Sequence, residues 1–245
     1  VAIPMSTVSG DEVITAAEKG SDLTRAGSTS GVELGQTVTV TFGGKTYTAT
    51  VAGDGSWTTS VPAADLAALR DGDATVQASV SNVNGNTASA THAYSVDATA
   101  PTLAINTIAT DDILNAAEAG NPLTISGSSS AEAGQTVTVT LNGVTYTGTV
   151  QADGSWSVSV PTADLSNLTA SQYTVSASVS DKAGNPATAT HGLAVDLTVP
   201  VLTINTVSGD DIINAAEHGQ ALVISGSSTG GEEGDVLTGP LNSKT

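Results

Sequence analysis

The chain has 245 residues, and its 24 Asp and Glu against 6 Lys and Arg give a formal net charge of −18. Phosphate repels a chain this acidic, which excludes the usual electrostatic basis of nucleic-acid binding. There is no cysteine, so disulfides, thiolate metal sites and cysteine nucleophiles are excluded as well. No apolar run reaches the length of a membrane span, and the first residues do not form a signal peptide. We therefore expect no membrane insertion and an internal fragment of a longer protein.

An internal repeat with a period of 99 residues organises the chain. Trp57 in "GDGSWTTSVP" corresponds to Trp156 in "ADGSWSVSVP", and Asp97 in "VDATAP" corresponds to Asp196 in "VDLTVP". An acidic segment occurs three times, as "DEVITAAEKG", "DDILNAAEAG" and "DDIINAAEHG". These correspondences predict a tandem array of similar domains.

The repeat sets the predicted domain boundaries. Repeat one occupies residues 1–100, repeat two occupies residues 101–199, and residues 200–245 are the N-terminal half of a third repeat with a divergent tail. Because half a repeat cannot close a two-sheet core, we expect residues after about 200 to be poorly packed.

Strand patterns are regular in repeat two. Runs rich in β-branched residues, separated by turn residues such as Asn142-Gly143 and Asp153-Gly154, predict seven strands and one helical turn in "TADLSNL". The predicted strands are residues 102–108, 123–129, 135–142, 144–150, 155–160, 173–180 and 187–195. Seven short strands in one repeat predict an all-β fold of tandem immunoglobulin-like β-sandwiches. The short proline linkers "DATAP" and "DLTVP" predict an end-to-end rod.

The two tryptophans have a structural and a binding interpretation. In domains so poor in aromatic residues, Trp57 and Trp156 would each supply a large share of the buried area, so we interpret them as core anchors. A sugar-binding surface would need an exposed aromatic platform, which a single Trp behind a tight hairpin does not provide.

Sandwich topology places acidic residues from distant parts of the sequence at neighbouring poles. The lower pole of repeat one carries the first acidic segment and Asp97, and the upper pole of repeat two carries Asp181, Asn185 and Glu132. Close carboxylates repel one another unless a cation neutralises them, and Ca2+ takes six to eight oxygen ligands with flexible geometry. The candidate ligands for such sites are Asp97, Asp111, Asp112, Glu118, Asp181, Asn185, Asp196, Asp11, Glu18, Asp210 and Asp211.

The acidic segment also has an interpretation that needs no metal. In "NAAE", Asn115 can cap a short helical turn while Glu118 returns the hydrogen bond, as in a capping box. Asp111 and Asp112 would then favour the positive end of that turn. This explains Asn115 and Glu118 fully and the aspartates less well, so both interpretations stay open.

Signals for catalysis are weak. His92 and His191 are repeat equivalents on the last strand, where a partly buried structural role is expected, and His218 lies in a loop. The sequence has no nucleophile elbow, no phosphate-binding glycine loop and no histidine pair at zinc spacing. We therefore expect a protein that is not an enzyme.

The motifs "DDxxNAAE", "GQTVTVTxNGxTYTxTV", "DGSWSVSVP" and "DxAGN", in this order, resemble the bacterial Ig-like repeats of giant, biofilm-associated-type adhesins exported by type I secretion. The resemblance covers both complete repeats and the start of the third. It implies a secreted stalk on a bacterial cell surface, stiffened by Ca2+ between repeats, for cell adhesion and biofilm formation. The family's acidic positions fall on Asp97, Asp111, Asp112, Asp181 and Asp196.

The implied partners are the neighbouring repeats of the same chain, and a host-cell or biofilm surface reached through other domains. The alternative is an Ig-like module that itself binds a glycan or a protein. Repeat one departs from the pattern, with Asn82 in place of an acidic residue, Asp11-Glu12 and Thr15 in place of Asp-Asp and Asn, and Arg25 where repeat two has Ile125. Nothing in the sequence explains Arg25.

Overall fold

The structure is a computed structural model that describes residues 1–231 and 233–240. Strands dominate it, and the helices are single turns. In repeat one the elements are β1 (Val13–Ile14), a 3-10 turn (Glu18–Gly20), β2 (Leu23–Ser28), β3 (Thr37–Phe42), β4 (Lys45–Thr50), β5 (Ser56–Val61), α1 (Ala63–Ala67), β6 (Gly72–Ser81) and β7 (Thr87–Val96).

Repeat two has the same succession of elements with one further strand at its start. These are β8 (Leu103–Ile105), β9 (Ile113–Asn115), a 3-10 turn (Glu118–Gly120), β10 (Leu123–Ser129), β11 (Thr136–Leu141), β12 (Val144–Thr149), β13 (Ser155–Val160), α2 (Thr162–Leu165), β14 (Gln172–Ser180) and β15 (Pro186–Asp196). A hairpin, β16 (Val201–Ile204) and β17 (Gly226–Thr229), follows.

Each repeat folds from two sheets. In repeat one the strand orders are β1-β7-β6-β3-β4 and β2-β5, and in repeat two they are β12-β11-β14-β15-β9 and β13-β10-β8. The immunoglobulin-like sandwich predicted from the sequence is confirmed. The seven strands predicted in repeat two are all present, and the predicted turn at Asn142-Gly143 has positive φ at both residues, as the tight hairpin requires.

A short parallel strand inside the acidic segment was not predicted. β1 pairs in parallel with β7, through Val13 with Ser95 and Ile14 with Val96, and β9 pairs with β15 in the same way. Ile14 is fully buried, so this strand closes one edge of the sheet over the core. Two or three residues are too short a run for a periodic pattern, which is why the sequence did not reveal it.

Both tryptophans lie in the cores, each 2% exposed. Trp57 packs directly on Gly27 and Trp156 packs on Gly127, and a Cβ added at either glycine would come within 2.6 Å and 2.5 Å of the respective indole ring. The tryptophan and the glycine therefore form one packing unit, repeated in both sandwiches. A larger residue at the glycine would displace the ring.

Backbone contacts divide the chain into two compact units. Unit one comprises Val1–Asn106, Ile125–Val158 and Thr174–His191, and unit two comprises Thr107–Thr124, Ser159–Tyr173 and Gly192–Thr245. Several of these boundaries fall within strands of repeat two. None of the helices in the described part of the chain has the length and apolar content needed to cross a bilayer.

The start of the third repeat is exposed, as expected. Val201, Leu202 and Ile204 on β16 are 57%, 52% and 67% exposed, and Val223 is 78% exposed. In repeat two the corresponding strands are covered by the opposite sheet, whose sequence has no counterpart after residue 230. The hairpin therefore has its own hydrogen bonds, and within residues 200–231 and 233–240 no apolar side chain is buried.

Candidate functional site

The three acidic segments adopt one hydrogen-bonded loop. In repeat two, Asp111 Oδ1 accepts from Ile113 N at 3.0 Å. Asn115 N donates to Glu118 Oε2 at 3.1 Å, and Glu118 N donates to Asn115 Oδ1 at 3.0 Å. This is the reciprocal pattern of a capping box, and it ends in a 3-10 turn rather than a longer helix.

The second acidic residue of each segment accepts a hydrogen bond from the backbone N–H four residues before it. Asp112 has a φ of 65° and accepts from Ile108 N at 2.8 Å, and Asp211, with a φ of 66°, accepts from Val207 N at 2.8 Å. In repeat one Glu12 takes the same role with Val8 N at 2.8 Å. Aspartate tolerates the left-handed backbone better than most residues because its short side chain bonds locally.

The third copy shows that this conformation is determined locally. Asp210 accepts from Ile212 N at 3.0 Å, and the box between Asn214 and Glu217 forms with distances of 3.0 Å and 3.1 Å, although the residues around them are exposed. The aspartate pairs therefore stabilise the loop by accepting hydrogen bonds from its backbone. The capping interpretation explained these aspartates less well than it explained the Asn and Glu. In repeat one Asp11 accepts from Val13 N, and Glu18 accepts from Thr15 N.

The structure brings part of the predicted ligand set together at the junction of repeats one and two. Asn185, in the β14–β15 loop, is 2% exposed and Asp181 in the same loop is 8% exposed. Asn185 Oδ1 accepts from Ala16 N at 3.0 Å. Its Nδ2 donates to the Asp97 carbonyl oxygen at 2.9 Å and to Asp181 Oδ2 at 3.0 Å, and lies 3.4 Å from Asp97 Oδ1.

One amide thus joins the two repeats. Because Ala16 N can only donate, the side-chain oxygen of Asn185 must face it, and the NH2 group must face the oxygens of Asp97 and Asp181. Asn185 N also donates to Asp181 Oδ1 at 2.8 Å, which holds the loop in the shape that presents the amide. Ala16 contributes only backbone, so no sequence signal could have identified it.

The carboxylates at this junction repel one another. Burial raises the pKa of Asp97, and the nearby Asp181 carboxylate raises it further, with Asp71 and Glu132 acting in the same direction. Glu132 also fixes the loop, because its Oε2 accepts from Lys182 N at 2.9 Å. Several negative groups therefore meet here, and the Asn185 NH2 group partly offsets them.

The oxygens of this junction suit a hard cation. Carboxylate and carbonyl oxygens are the ligands that Ca2+ takes, and the three oxygens within 3.4 Å of Asn185 Nδ2 are of these kinds. Within residues 1–231 and 233–240, however, no three His, Cys, Asp or Glu side chains are grouped closely enough to hold a metal ion by themselves. A cation at this point would need backbone or water oxygens in addition.

The remaining predicted ligands are not brought into this cluster. Asp196, the repeat-two counterpart of Asp97, is exposed and accepts from Thr198 N at 2.9 Å, and the hydrogen bonds from Thr198 lower the pKa of its carboxyl. The side-chain hydrogen bonds described above lie within one loop for Asp11, Glu18, Asp111, Asp112, Glu118, Asp210 and Asp211.

Arg25 is a buried residue whose role the sequence did not reveal. It is 1% exposed and donates to the carbonyl oxygens of Thr7 and Ser6 at 2.7 Å and 2.8 Å. Burial lowers its pKa, and the Glu12 carboxylate acts in the opposite direction. Glu12 in turn pairs with His92 at 2.7 Å. Arg25 therefore joins the N-terminal segment to the core.

Comparisons with known proteins agree with this architecture. Residues 99–197 match the family described as bacterial Ig-like domain. No curated protein matches the chain. A solved Ca2+-stabilized adhesin that helps an Antarctic bacterium reach out and bind ice is 35% identical, with 93% of this chain and 57% of that chain covered and a TM-score of 0.54.

Two further solved structures are similar. One belongs to a 1.5-MDa bacterial ice-binding adhesin, studied for host cell surface retention; it is 35% identical, with 93% of this chain and 76% of that chain covered and a TM-score of 0.52. The other is a bacterial immunoglobulin-like domain from the M. primoryensis ice-binding adhesin, 39% identical, covering 40% of this chain and 100% of that chain with a TM-score of 0.33. The chain spans 57% and 76% of the first two structures.

Proposed function

Because the chain belongs to the bacterial Ig-like family of adhesin repeats, we propose that it is a non-catalytic structural segment of a large bacterial cell-surface adhesin. The segment would hold adhesive domains, which lie elsewhere in the parent protein, away from the cell. Cell adhesion, biofilm formation and export by type I secretion belong to the same proposal. The domain boundaries are residues 1–100, 101–199 and 200–245.

The observation that carries the proposal is the amide bridge of Asn185. A spacer must resist bending between its domains, and the buried side chain of Asn185 ties the β14–β15 loop of repeat two to both Ala16 and Asp97 of repeat one. A domain that only binds a ligand has no need of such a connection. The alternative, a glycan- or protein-binding Ig-like module, has no comparable observation in its favour.

We further propose that Ca2+ strengthens this junction. The carboxylates of Asp97 and Asp181 and the carbonyl oxygen of Asp97 would hold the ion, which would neutralise the repulsion that raises the pKa of Asp97. Ca2+ sites at the other acidic loops, with Asp11, Asp111 or Asp210 as ligands, belong to the same proposal. Support comes from the description of one similar adhesin as Ca2+-stabilized.

The test compares the full chain in millimolar Ca2+ and in chelator. We expect Ca2+ to raise the melting temperature and to lengthen the maximum dimension in small-angle scattering. A ligand at a hundredfold excess over its Kd stabilises the folded state by roughly 2.7 kcal/mol. Unchanged melting together with an unchanged maximum dimension would contradict the calcium proposal.

Single substitutions test whether Ca2+ binds at the junction of repeats one and two. Asp97→Ala and Asp181→Ala should each lower calcium affinity while both cores stay folded. Asn82→Ala is the matched control, because Asn82 occupies the position of Asp181 in the equivalent loop of repeat one. If both aspartate variants keep wild-type calcium affinity, the junction is not the site.

A further inference from the structure

Asp71 holds the linker that follows repeat one, and Lys19 holds the loop that carries Asp71. Asp71, in the loop between α1 and β6, accepts from Ala98 N at 3.0 Å through Oδ1 and from the Thr99 hydroxyl through Oδ2. Lys19, in the 3-10 turn of the acidic segment, donates from Nζ to the carbonyl oxygen of Leu69 at 2.6 Å. The hydrogen bonds from Thr99 and Ala98 lower the pKa of Asp71, and the Lys19 ammonium lowers it further.

Repeat two lacks both residues. Ala119 stands where repeat one has Lys19, and Ala170 stands where it has Asp71. Ala170 lines an open groove together with Leu197 and Thr198, the counterparts of the two linker residues that Asp71 holds. Thr198 N donates to Asp196 within the linker itself, as Thr99 N does to Asp97 in repeat one, so the bonds to Asp71 are what repeat two lacks. The two charges are thus present together in one repeat and absent together in the other.

We propose that Lys19 and Asp71 form a linker clamp that fixes residues 97–101 without a cation, and that residues 196–200 lack this restraint. Asp71 positions the linker, because its carboxylate accepts the hydrogen bonds from Ala98 and Thr99. Lys19 offsets the negative charge that Asp71 adds to a junction already containing Asp97. The array therefore contains two kinds of linker, one clamped from the side and one not.

The clamp is separate from the proposed function, because it needs no calcium. The test therefore uses the full chain in chelator and measures amide hydrogen exchange by NMR. In Asp71→Ala the Ala98 amide should exchange roughly five- to tenfold faster, the factor expected for one lost hydrogen bond. The Leu197 amide should not change.

Matched variants separate positioning from charge. Asp73→Ala removes an exposed carboxylate two residues away and should leave Ala98 exchange unchanged. Asp71→Asn keeps an acceptor oxygen and should retain most of the protection. If Ala98 exchanges at the wild-type rate in Asp71→Ala, or if Asp73→Ala accelerates it equally, the clamp does not exist.

The clamp should also be transferable. The double variant Ala119→Lys/Ala170→Asp places both charges in repeat two, and the Leu197 amide should then exchange roughly five- to tenfold more slowly. An unchanged Leu197 rate in a folded double variant would overturn the assignment of these two residues. Calcium affinity is not measured in any of these experiments, so a failure of the calcium proposal would leave their outcome unaffected.

Discussion

Apart from the additional strand β8 of repeat two, repeats one and two build the same arrangement of strands around different cores. In repeat one, Phe42 and Tyr94 stack with ring centroids 4.8 Å apart and an interplanar angle of 9°, and Arg25 is buried with them. The residues of repeat two at these positions are Ile125, Leu141 and Leu193, and all three are buried. An aromatic pair and a cation in one repeat thus replace three aliphatic residues in the other.

This difference teaches which features specify the fold. The tryptophan on its glycine and the hydrogen-bonded acidic loop are the same in both repeats, whereas the side chains that fill the space between the sheets are not. Arg25 also imposes a dependence that Ile125 does not. Its two terminal nitrogens donate to the carbonyl oxygens of Thr7 and Ser6, while the buried Nε has no hydrogen-bond partner, so repeat one relies on the N-terminal segment for both of these bonds.

The largest loss of stability should come from removing the tryptophan that both repeats share. Trp156→Ala should cost repeat two about 3–5 kcal/mol of stability, and Trp57→Ala should cost repeat one as much, because each opens a cavity in an aromatic-poor core. Hydrogen exchange measured by mass spectrometry can follow each repeat separately, and the remaining tryptophan reports the unaltered repeat by fluorescence. A loss below about 1 kcal/mol in the altered repeat would contradict the anchor role.

The next largest loss of stability should come from removing Arg25, which only repeat one has at this position. Arg25→Ala removes a buried side chain and both donors to the N-terminal segment, and we expect repeat one to lose about 3 kcal/mol. Exchange should accelerate at the amides near Ser6 and Thr7 in particular, as measured by NMR. Arg70→Ala removes the same charge from an exposed position and is the control. Equal effects of the two variants would show that only net charge matters.

The smallest effect should be a difference in pH dependence. Hydrogen bonding from Val8 N, and then from His92, lowers the pKa of Glu12. Its stabilising contribution is therefore present at neutral pH and lost as the pH falls through its folded pKa. Asp97 has the opposite sign, because burial and then Asp181 raise its pKa, so its destabilising contribution is relieved as the pH falls.

Thermal melting in chelator, from neutral pH to about pH 3, separates these two groups. Glu12→Gln should lower the melting temperature of repeat one at neutral pH and weaken its dependence on acid. Asp97→Asn should instead raise the melting temperature at neutral pH, since it removes the repulsion from Asp181. A destabilising Asp97→Asn in chelator would contradict the raised pKa.

The sequence predicted most of the fold because its signals are local and repeated. Alternating β-branched residues and turns such as Asn142-Gly143 depend on neighbours in sequence, and so does the capping box of Asn115 and Glu118. The meeting of Asp97 with Asp181 and Asn185 was also predicted, because sandwich topology dictates which loops share a pole.

The rest depended on contacts that no pattern encodes. Arg25 occupies an apolar position in its strand, and only the carbonyl oxygens that surround it explain it. Asp71 looks like an ordinary turn residue until Ala98 and Thr99 are seen to donate to it. The role of Asp112 depends on a positive φ, which is a property of the folded loop.

The residue that follows Asn185 affects how long the bridge between the repeats can last. Asparagine loses its amide mainly when the backbone nitrogen of the next residue attacks the side-chain carbonyl, which closes a succinimide ring and releases ammonia. That residue here is Pro186, which carries no backbone N–H, so this reaction cannot proceed. Asn86, at the same place in the exposed loop of repeat one, precedes Thr87 and has no such protection. The amide that joins the domains is therefore protected from this route of chemical ageing.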